Sequence, residues 1–216
     1  MPTPEQILQA LSELSERWLP LAALWHVYVV ALGVAVIAGW RPPIRVAASL
    51  ILLPIVSVVV LALMTANPVT SIVLGGYVGA AIAIVVRMPP QSIHVAASWR
   101  VFAGGVAMLF GLVYPHFLDH AAPLQYLYGA PLGIVPCPTL AAAVGANLTI
   151  DSLGSRSWSL LLVAAGGFYG VFGALRLDVS LDWLLVATVL LLLASLPRTG
   201  RMVRQIASTL GTDGSG

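Results

Sequence analysis

Long apolar stretches follow one another through almost the whole chain. Seven can be delimited, separated by short links that contain proline, glycine or charge, and they run near 20–39, 46–65, 68–86, 99–117, 134–150, 158–176 and 182–197. A helix needs about 20 apolar residues to cross the hydrocarbon core of a bilayer. The pattern therefore predicts an all-α fold, a polytopic bundle of seven transmembrane helices.

The composition favours lipid as the surroundings of this bundle. Of the 216 residues, 59% are hydrophobic and 8% are charged, whereas a soluble domain carries about 25% charged residues. So few polar side chains cannot cover an apolar core of this size. We expect the lipid bilayer to be the main partner, and we expect no nucleic-acid binding.

The arginines predict the orientation of the bundle. If seven helices alternate, eight arginines share one side, namely Arg41, Arg45, Arg87, Arg100, Arg156, Arg198, Arg201 and Arg204. The opposite side then holds only Arg17 and Arg176. Because short cytoplasmic loops carry an excess of basic residues, the distribution predicts an outer N-terminus and a cytoplasmic C-terminus.

The chain divides into three predicted parts. In residues 1–18, Thr3 to Gln6 forms a capping-box pattern with proline at the first helical position. The apolar residues that follow share one helical face, which predicts a short amphipathic helix on the outer membrane surface: Ile7, Leu8, Leu11, Leu14 and Trp18. Residues 19–197 form the transmembrane domain, and 198–216 form a basic cytoplasmic tail with a disordered end.

Several function classes are excluded by missing residues. The chain has no lysine, so it cannot hold retinal as a Schiff base. No acidic residue falls in the middle of a predicted span, which argues against an ion-coupled transporter or a proton pump. Asp178 and Asp182 fall at outer helix ends, and one of them is predicted to form an ordinary ion pair with Arg176 at the rim. No nucleotide-binding motif is present.

Three of the four histidines and the single cysteine fall on the predicted outer side. His116 and His120 are four residues apart, so both face one way on a helix and can share a metal. Cys137 is predicted at a helix N-cap, where the helix dipole favours the thiolate. A thiolate suits copper(I), zinc or haem iron. The alternatives are interfacial polar histidines and a small apolar cysteine.

His26 completes the predicted metal set of His26, His116, His120 and Cys137. It falls about 9 Å below the outer end of the first span, at 1.5 Å per residue, where a polar ring needs a partner. The connection from Asp119 to Val135 is long for a helical bundle. Its apolar segment 132–135 is predicted to dip into the membrane, shielded by protein.

Small-residue strips predict close packing of helices. They occur in the sixth, third and fourth spans: Gly166, Gly170 and Gly173; Gly75, Gly76 and Gly79; Gly104 and Gly105.

One stretch of the chain resembles a known family. Tyr114-Pro115, a long loop and then Gly133 to Thr139, with its Pro-Cys-Pro-Thr sequence entering a helix, is similar to the hallmark of a family of bacterial multi-pass membrane proteins of unknown function. Asn67-Pro68 near the start of the third span fits the same family. The resemblance implies a multi-pass protein of the bacterial inner membrane and carries no established activity.

Four functions stay open at this point. The first is a metal- or haem-binding membrane protein, with copper favoured by the mixed imidazole and sulfur ligands. The second is a structural or accessory subunit of a larger membrane complex, since small residues and short loops suit packing against partner helices. The third is a component of a small-molecule permease. The fourth is a membrane enzyme with Cys137 as nucleophile and His116 or His120 as base.

Overall fold

The computed structural model describes residues 3–115 and 125–196 of the chain. Every regular element in these two ranges is a helix. In chain order the α-helices are α1 Pro4–Arg17, α2 Leu19–Ile37, α3 Ile44–Met64, α4 Pro68–Arg87, α5 Ser98–Val113, α6 Tyr126–Gly129, α7 Pro136–Thr149, α8 Arg156–Arg176 and α9 Asp182–Ser195. A short 3₁₀ helix, Asp151–Gly154, joins α7 to α8.

Four of these helices are long and apolar enough to cross a membrane. They are α2, α3, α4 and α8, with 19 to 21 residues each. A helix also lies in each of the other three predicted spans, but α5 has 16 residues and α7 and α9 have 14. Fourteen residues span about 21 Å at 1.5 Å per residue, less than the hydrocarbon core of about 30 Å. The described chain is thus an all-helical, membrane-type protein with four candidate spans.

The N-terminal helix forms as the capping pattern predicts. The Thr3 amide donates to Gln6 Oε1 over 2.9 Å, and the Gln6 amide donates to Thr3 Oγ1 over 3.4 Å. Hydrogen bonding to backbone amides at this helix start lowers the pKa of Glu5. The apolar face of α1 packs against the main core through Ile7, Leu8, Leu11, Leu14 and Trp18.

Helix α7 is the centre of the bundle. Apart from Ala146 and Thr149, all of its residues are buried, and it packs against α3, α5, α8 and α9. Glycines bring α5 and α7 together, because a Cβ atom on Gly104 would lie 2.5 Å from the Gly145 carbonyl oxygen. A Cβ atom on Gly111 would lie equally close to the Pro138 carbonyl oxygen. No side chain fits between these two backbones.

The glycine strips behave differently from one helix to the next. On α8 the prediction is confirmed, since Cβ atoms on Gly166 and Gly170 would lie 2.8 and 2.9 Å from valine side chains of α9. On α4 it is wrong for the described residues, because no atom lies within 4 Å of a Cβ built on Gly76 or Gly79. Gly105 is equally open, although its neighbour Gly104 is tightly packed. A glycine strip promotes close packing only where a second helix lies against it.

A buried segment without helical structure leads into α7. Leu132, Ile134 and Val135 are at most 2% exposed, in agreement with the shielding predicted for 132–135. Gly133 has a φ of +71°, and a Cβ atom there would overlap the Trp25 indole. Its amide donates to Thr139 Oγ1 over 2.8 Å. Position 133 therefore requires glycine for two reasons: the positive φ of the backbone and the lack of space beside the Trp25 indole.

Backbone hydrogen bonds join the loops at one end of the bundle. The Ile44 amide donates to the Gln91 carbonyl over 2.7 Å, and the Ala96 amide donates to the Thr149 carbonyl over 2.9 Å. We call this the basic end, because it carries five arginines and, within the described residues, one acid: Arg41, Arg45, Arg87, Arg100, Arg156 and Asp151. Arg100 and Asp151 form an ion pair there.

Candidate functional site

Three polar side chains meet inside the end of the bundle opposite the basic end. The Tyr114 hydroxyl donates to Asp182 Oδ1 over 2.7 Å, and the Cys137 thiol donates to Asp182 Oδ2 over 3.4 Å. The thiol also lies 3.8 Å from the Tyr169 carbonyl oxygen. We call Tyr114, Cys137 and Asp182 the acid cluster. Each carboxylate oxygen thus has one donor from a different helix region.

The ends of four helices position the acid cluster. Tyr114 directly follows α5, Cys137 lies in the first turn of α7, and Asp182 is the first residue of α9. Gly173 of α8 leaves the space for the carboxylate, because a Cβ atom there would overlap Asp182. Tyr114 and Asp182 are at most 1% exposed, and Cys137 is 8% exposed. The cluster is closed to solvent and held by all four elements.

The predicted ion pair of Arg176 with Asp178 or Asp182 is wrong for the described residues. Asp182 turns into the bundle and bonds to Tyr114 and Cys137. Within the described residues the one ion pair joins Arg100 to Asp151. The sequence places Asp182 correctly at a helix end but carries no local signal that this end is buried.

Cys137 is the second residue of α7, so its predicted position as the N-cap is wrong. Helix α7 begins at Pro136 with Val135 as N-cap, because both prolines fit the first turn, where backbone N–H groups have no helical acceptor. As the donor to Asp182, the thiol carries its proton. The thiolate expected from the sequence is not the form that makes this contact.

His26 is buried and fully engaged by backbone carbonyls. Its Nδ1 lies 2.7 Å from the Ala22 carbonyl oxygen, and its Nε2 lies 2.7 Å from the Leu112 carbonyl oxygen. The ring is 5% exposed and links α2 to the end of α5. Both ring nitrogens thus face backbone carbonyls, and a metal-binding role for His26 stays a prediction.

The other predicted ligands, His116 and His120, lie outside the described residues. Over residues 3–115 and 125–196, no group of three or more His, Cys, Asp or Glu side chains could hold a metal ion. Of the four predicted ligands, the structure describes Cys137 and His26. Cys137 lies next to the carboxylate of Asp182, whereas His26 contacts the backbone carbonyls of Ala22 and Leu112.

A lateral groove opens between α2 on one side and α3, α5 and α7 on the other. It consists of two adjoining cavities of about 360 and 60 Å³ that share Leu32, Leu50, Ile51, Met108 and Ala146. The larger cavity reaches the basic end at Trp40, Pro42 and Thr149. The smaller one continues along α7 to Thr139 and Leu132. We call both together the lateral groove.

The polar contacts that attach α2 to the bundle all lie in the first half of this helix, beside the lateral groove. Near its start, the Trp25 indole donates to Ser57 Oγ over 3.1 Å, the Tyr28 hydroxyl donates to the Leu50 carbonyl over 3.0 Å, and His26 reaches α5. From Leu32 to Ile37 the helix has only apolar residues and glycine. No atom lies within 4 Å of a Cβ built on Gly33. The second half of α2 thus makes no polar side-chain contact with the bundle, and it reaches the main core through Val36.

The walls of the lateral groove offer hydrocarbon contacts. Its two threonine hydroxyls are occupied, since Thr139 donates to the Val135 carbonyl over 2.7 Å and Thr149 donates to the Gly145 carbonyl over 2.9 Å. From Thr139 to Thr149 the groove follows ten residues of α7, about 15 Å at 1.5 Å per residue. This length equals about half of a hydrocarbon core of about 30 Å.

Comparisons with protein-family models, with curated proteins and with solved structures gave no match. The resemblance to a bacterial membrane-protein family therefore stays a prediction.

Proposed function

We propose that this chain is a lipid-binding membrane protein that takes one hydrocarbon chain of a membrane lipid into the lateral groove. The observation that carries the proposal is the apolar space of about 360 Å³ between α2 and α7. Ligand cavities in proteins measure about 300–1,000 Å³. The groove is open to the side, so a lipid can enter from the bilayer without leaving it.

The separation of α2 from the bundle supports this function. Water molecules find no hydrogen-bond partners in the apolar lateral groove, and an empty groove leaves its lining atoms without dispersion contacts. A lipid chain that fills the slot supplies those contacts along about 15 Å of α7 at 1.5 Å per residue. Polar contacts of Trp25, His26 and Tyr28 keep one end of α2 in place, so the other end can hold a chain against α7.

Photo-crosslinking tests the proposal. The full chain is placed in nanodiscs of phosphatidylcholine that carry a diazirine on one acyl chain, irradiated and analysed by peptide mass spectrometry. Helix α7 is otherwise buried among helices, so an adduct on the α7 segment Ala142–Ala146 reports a chain inside the groove. We expect such adducts in the wild type, beside adducts on exposed residues such as Phe102.

Groove-filling variants sharpen the test. Gly33→Leu and Gly105→Leu add side chains from opposite walls into space that is open at both positions, and each should reduce α7 adducts severalfold. Gly79→Leu is the matched control, because Gly79 is also helical and open but lies on α4 away from the groove. Equal α7 labelling in wild type, Gly105→Leu and Gly79→Leu would rule out the proposed function.

The topology that accompanies this proposal has seven crossings. In it, α5, α7 and α9 complete the bundle of α2, α3, α4 and α8, and the buried segment 130–135 extends α7 toward the outer surface. The basic end faces the cytoplasm of a bacterial cell, with the N-terminus outside. Cysteine-accessibility labelling tests this orientation: Ser12→Cys should react with an impermeant maleimide in intact cells, and Ser92→Cys only after lysis.

A second candidate function is a metal centre that includes Cys137 and Asp182. Their Sγ and Oδ2 atoms lie 3.4 Å apart. Two ligands of one tetrahedral ion, with metal–sulfur and metal–oxygen bonds of about 2.3 and 2.0–2.2 Å, lie about 3.5 Å apart. The predicted partners His116 and His120 would supply further ligands. Copper is the favoured ion because sulfur and imidazole would stand beside the carboxylate in the ligand set, and haem is the alternative.

Metal analysis and an absorption spectrum of the purified protein test this second candidate. A bound ion should be lost in Cys137→Ser and in Asp182→Asn and kept in His26→Gln, because His26 is engaged elsewhere. Wild-type protein with neither a stoichiometric metal nor a Soret band would exclude it.

Other membrane subunits are a further proposed class of partner, and a partner that co-purifies in stoichiometric amount at native expression would support an accessory role.

A further inference from the structure

We infer that the lipid held by the lateral groove carries an anionic headgroup, which Arg41 binds at the mouth of the groove. This inference rests on the proposed lipid-binding function and adds the chemical class of the ligand. The juxtaposition behind it is an exposed guanidinium between Trp40 and Pro42, both of which line the groove where it opens at the basic end.

One edge of the Arg41 guanidinium is fixed and the other is available. Its Nη1 donates to the carbonyl oxygens of Val36 and Trp40 at the end of α2. Val36 also lines the groove, so these bonds hold the side chain at the rim. Among residues 3–115 and 125–196, no hydrogen bond or carboxylate engages its Nε and Nη2. That edge has the fork geometry that binds a phosphate or carboxylate with two parallel hydrogen bonds.

The neighbouring charges leave this role to Arg41. Arg100 pairs with Asp151, and the Nε of Arg45 donates to the Met88 carbonyl oxygen between α3 and α4. Arg87 lies at the end of α4, and no residue of α4 lines the groove. Arg156 begins α8, and no residue of α8 lines the groove. Among the arginines of the basic end, Arg41 thus combines an exposed position, a place in the groove mouth and a free donor edge within the described chain.

The geometry matches a lipid in the leaflet at the basic end. The groove runs from the mouth along α7 over a distance of about half the hydrocarbon core. An anionic group at Arg41 therefore places its acyl chain in the apolar space, with no charge drawn into the membrane. Phosphate and lipid phosphate share the recognition chemistry of Arg41, but only the lipid also fills the groove.

The test compares two lipids that differ in headgroup charge. Full-length protein in nanodiscs receives diazirine-labelled phosphatidylglycerol or phosphatidylcholine with identical acyl chains, and α7 adducts are counted. We expect the wild type to favour phosphatidylglycerol about fivefold, the effect of one basic residue near a membrane surface. Arg41→Gln should bring this ratio close to one. Arg87→Gln is the control for general surface charge and should keep it.

The outcomes separate the headgroup from the groove. If Arg41→Gln leaves the ratio unchanged while Gly105→Leu removes the adducts of both lipids, the headgroup inference is overturned and the proposed function stands. If Gly105→Leu removes neither, the proposed function itself fails. Inorganic phosphate, added at the millimolar concentrations of a free-anion ligand, should not displace phosphatidylglycerol. Displacement by phosphate alone would identify a free-anion site and overturn the inference.

Discussion

The carboxylate of Asp182 occupies the space that a side chain at Gly173 would need. A Cβ atom on Gly173 would overlap both Oδ2 and the carboxyl carbon of Asp182, while the same carboxylate accepts from Tyr114 and Cys137. Because Gly173 of α8 has no side chain, the carboxylate of Asp182 can be buried at the start of α9.

We predict that Gly173→Ala destabilises the protein by about 1–3 kcal/mol, the usual cost of forcing extra volume into a packed interior. The methyl group must displace Asp182 from its two donors. Gly167→Ala on the same helix is the control, because its Cβ would lie 3.9 Å from Val189, an ordinary contact. Thermal unfolding of both variants in detergent measures the difference. Equal transition temperatures would contradict the packing described for Asp182.

The acid cluster should behave as one energetic unit. Asp182→Ala removes the carboxylate that accepts from both the Tyr114 hydroxyl and the Cys137 thiol, and the loss of a buried hydrogen-bond acceptor costs about 1–3 kcal/mol. Tyr114→Phe removes the hydroxyl that donates to Asp182 and introduces no polar group at position 114. A double-mutant cycle of these two substitutions should give a coupling energy of about 0.5–3 kcal/mol.

The reference for this cycle is a pair of residues that do not touch. Tyr28→Phe on α2 also removes a tyrosine hydroxyl, a half-buried one that bonds to the Leu50 carbonyl. Combined with Asp182→Ala it should be additive within about 0.5 kcal/mol. Additivity for the Tyr114 pair as well would mean that the hydroxyl and the carboxylate do not interact in the folded protein.

His26 should act through α2 and not through a metal. The ring joins the Ala22 carbonyl to the Leu112 carbonyl, so His26→Phe keeps an aromatic ring but removes its polar contacts with both carbonyls. His26→Gln keeps a donor for one of them. We expect His26→Phe to lower the stability of the protein by about 1–3 kcal/mol and His26→Gln to lower it less. Thermal unfolding and metal content, measured on the same samples, separate the structural role from ligation.

A metal role for His26 would give a different pattern. Both variants would then lose bound metal to the same extent, because neither phenylalanine nor glutamine replaces an imidazole ligand well. Similar stability of the two variants, together with shared loss of metal, would contradict the hydrogen-bonded bridge between α2 and α5.

The positions of the helices were predictable from the sequence, because apolar runs and their proline breaks are local signals. The start of α4 at Pro68 and the capping box at Thr3 follow from residues within one turn of the helix start. The end of α5 at Val113 follows from Pro115, which disfavours helical dihedrals at Tyr114, although the apolar run extends to about residue 117. Helix α9 ends at Ser195, within two residues of the end of its apolar run near residue 197.

The acid cluster shows why the candidate site was only partly predictable. Cys137 stands out because the chain has one cysteine, and its flanking prolines mark a helix start. Asp182 and Tyr114 come from helices that are distant in sequence, 45 and 23 residues from Cys137. Their burial depends on which helix ends meet in space. The lateral groove could not be predicted from the sequence either, because the lipid-facing and groove-facing residues of α2 are equally apolar.

The last prediction concerns the turn that leads into α7. Gly133 and Gly154 both have positive φ values, +71° and +61°, so alanine at either position pays about 1–2 kcal/mol for a left-handed backbone. At Gly154 the space around a Cβ atom is open, whereas at Gly133 the Cβ atom would overlap the Trp25 indole. Gly133→Ala should therefore destabilise the protein by at least about 1 kcal/mol more than Gly154→Ala, given the cost of overpacking.

Thermal unfolding of the two alanine variants measures this difference, and a change at Trp25 identifies its cause. In a Trp25→Ala background the indole is gone, and the two glycine substitutions should have nearly equal effects. Because Trp25 also ties α2 to α3 through Ser57, that background is itself less stable, so the comparison uses the difference between the two glycine variants within it. A gap between them that persists without the indole would show that Gly133 is required by something other than Trp25.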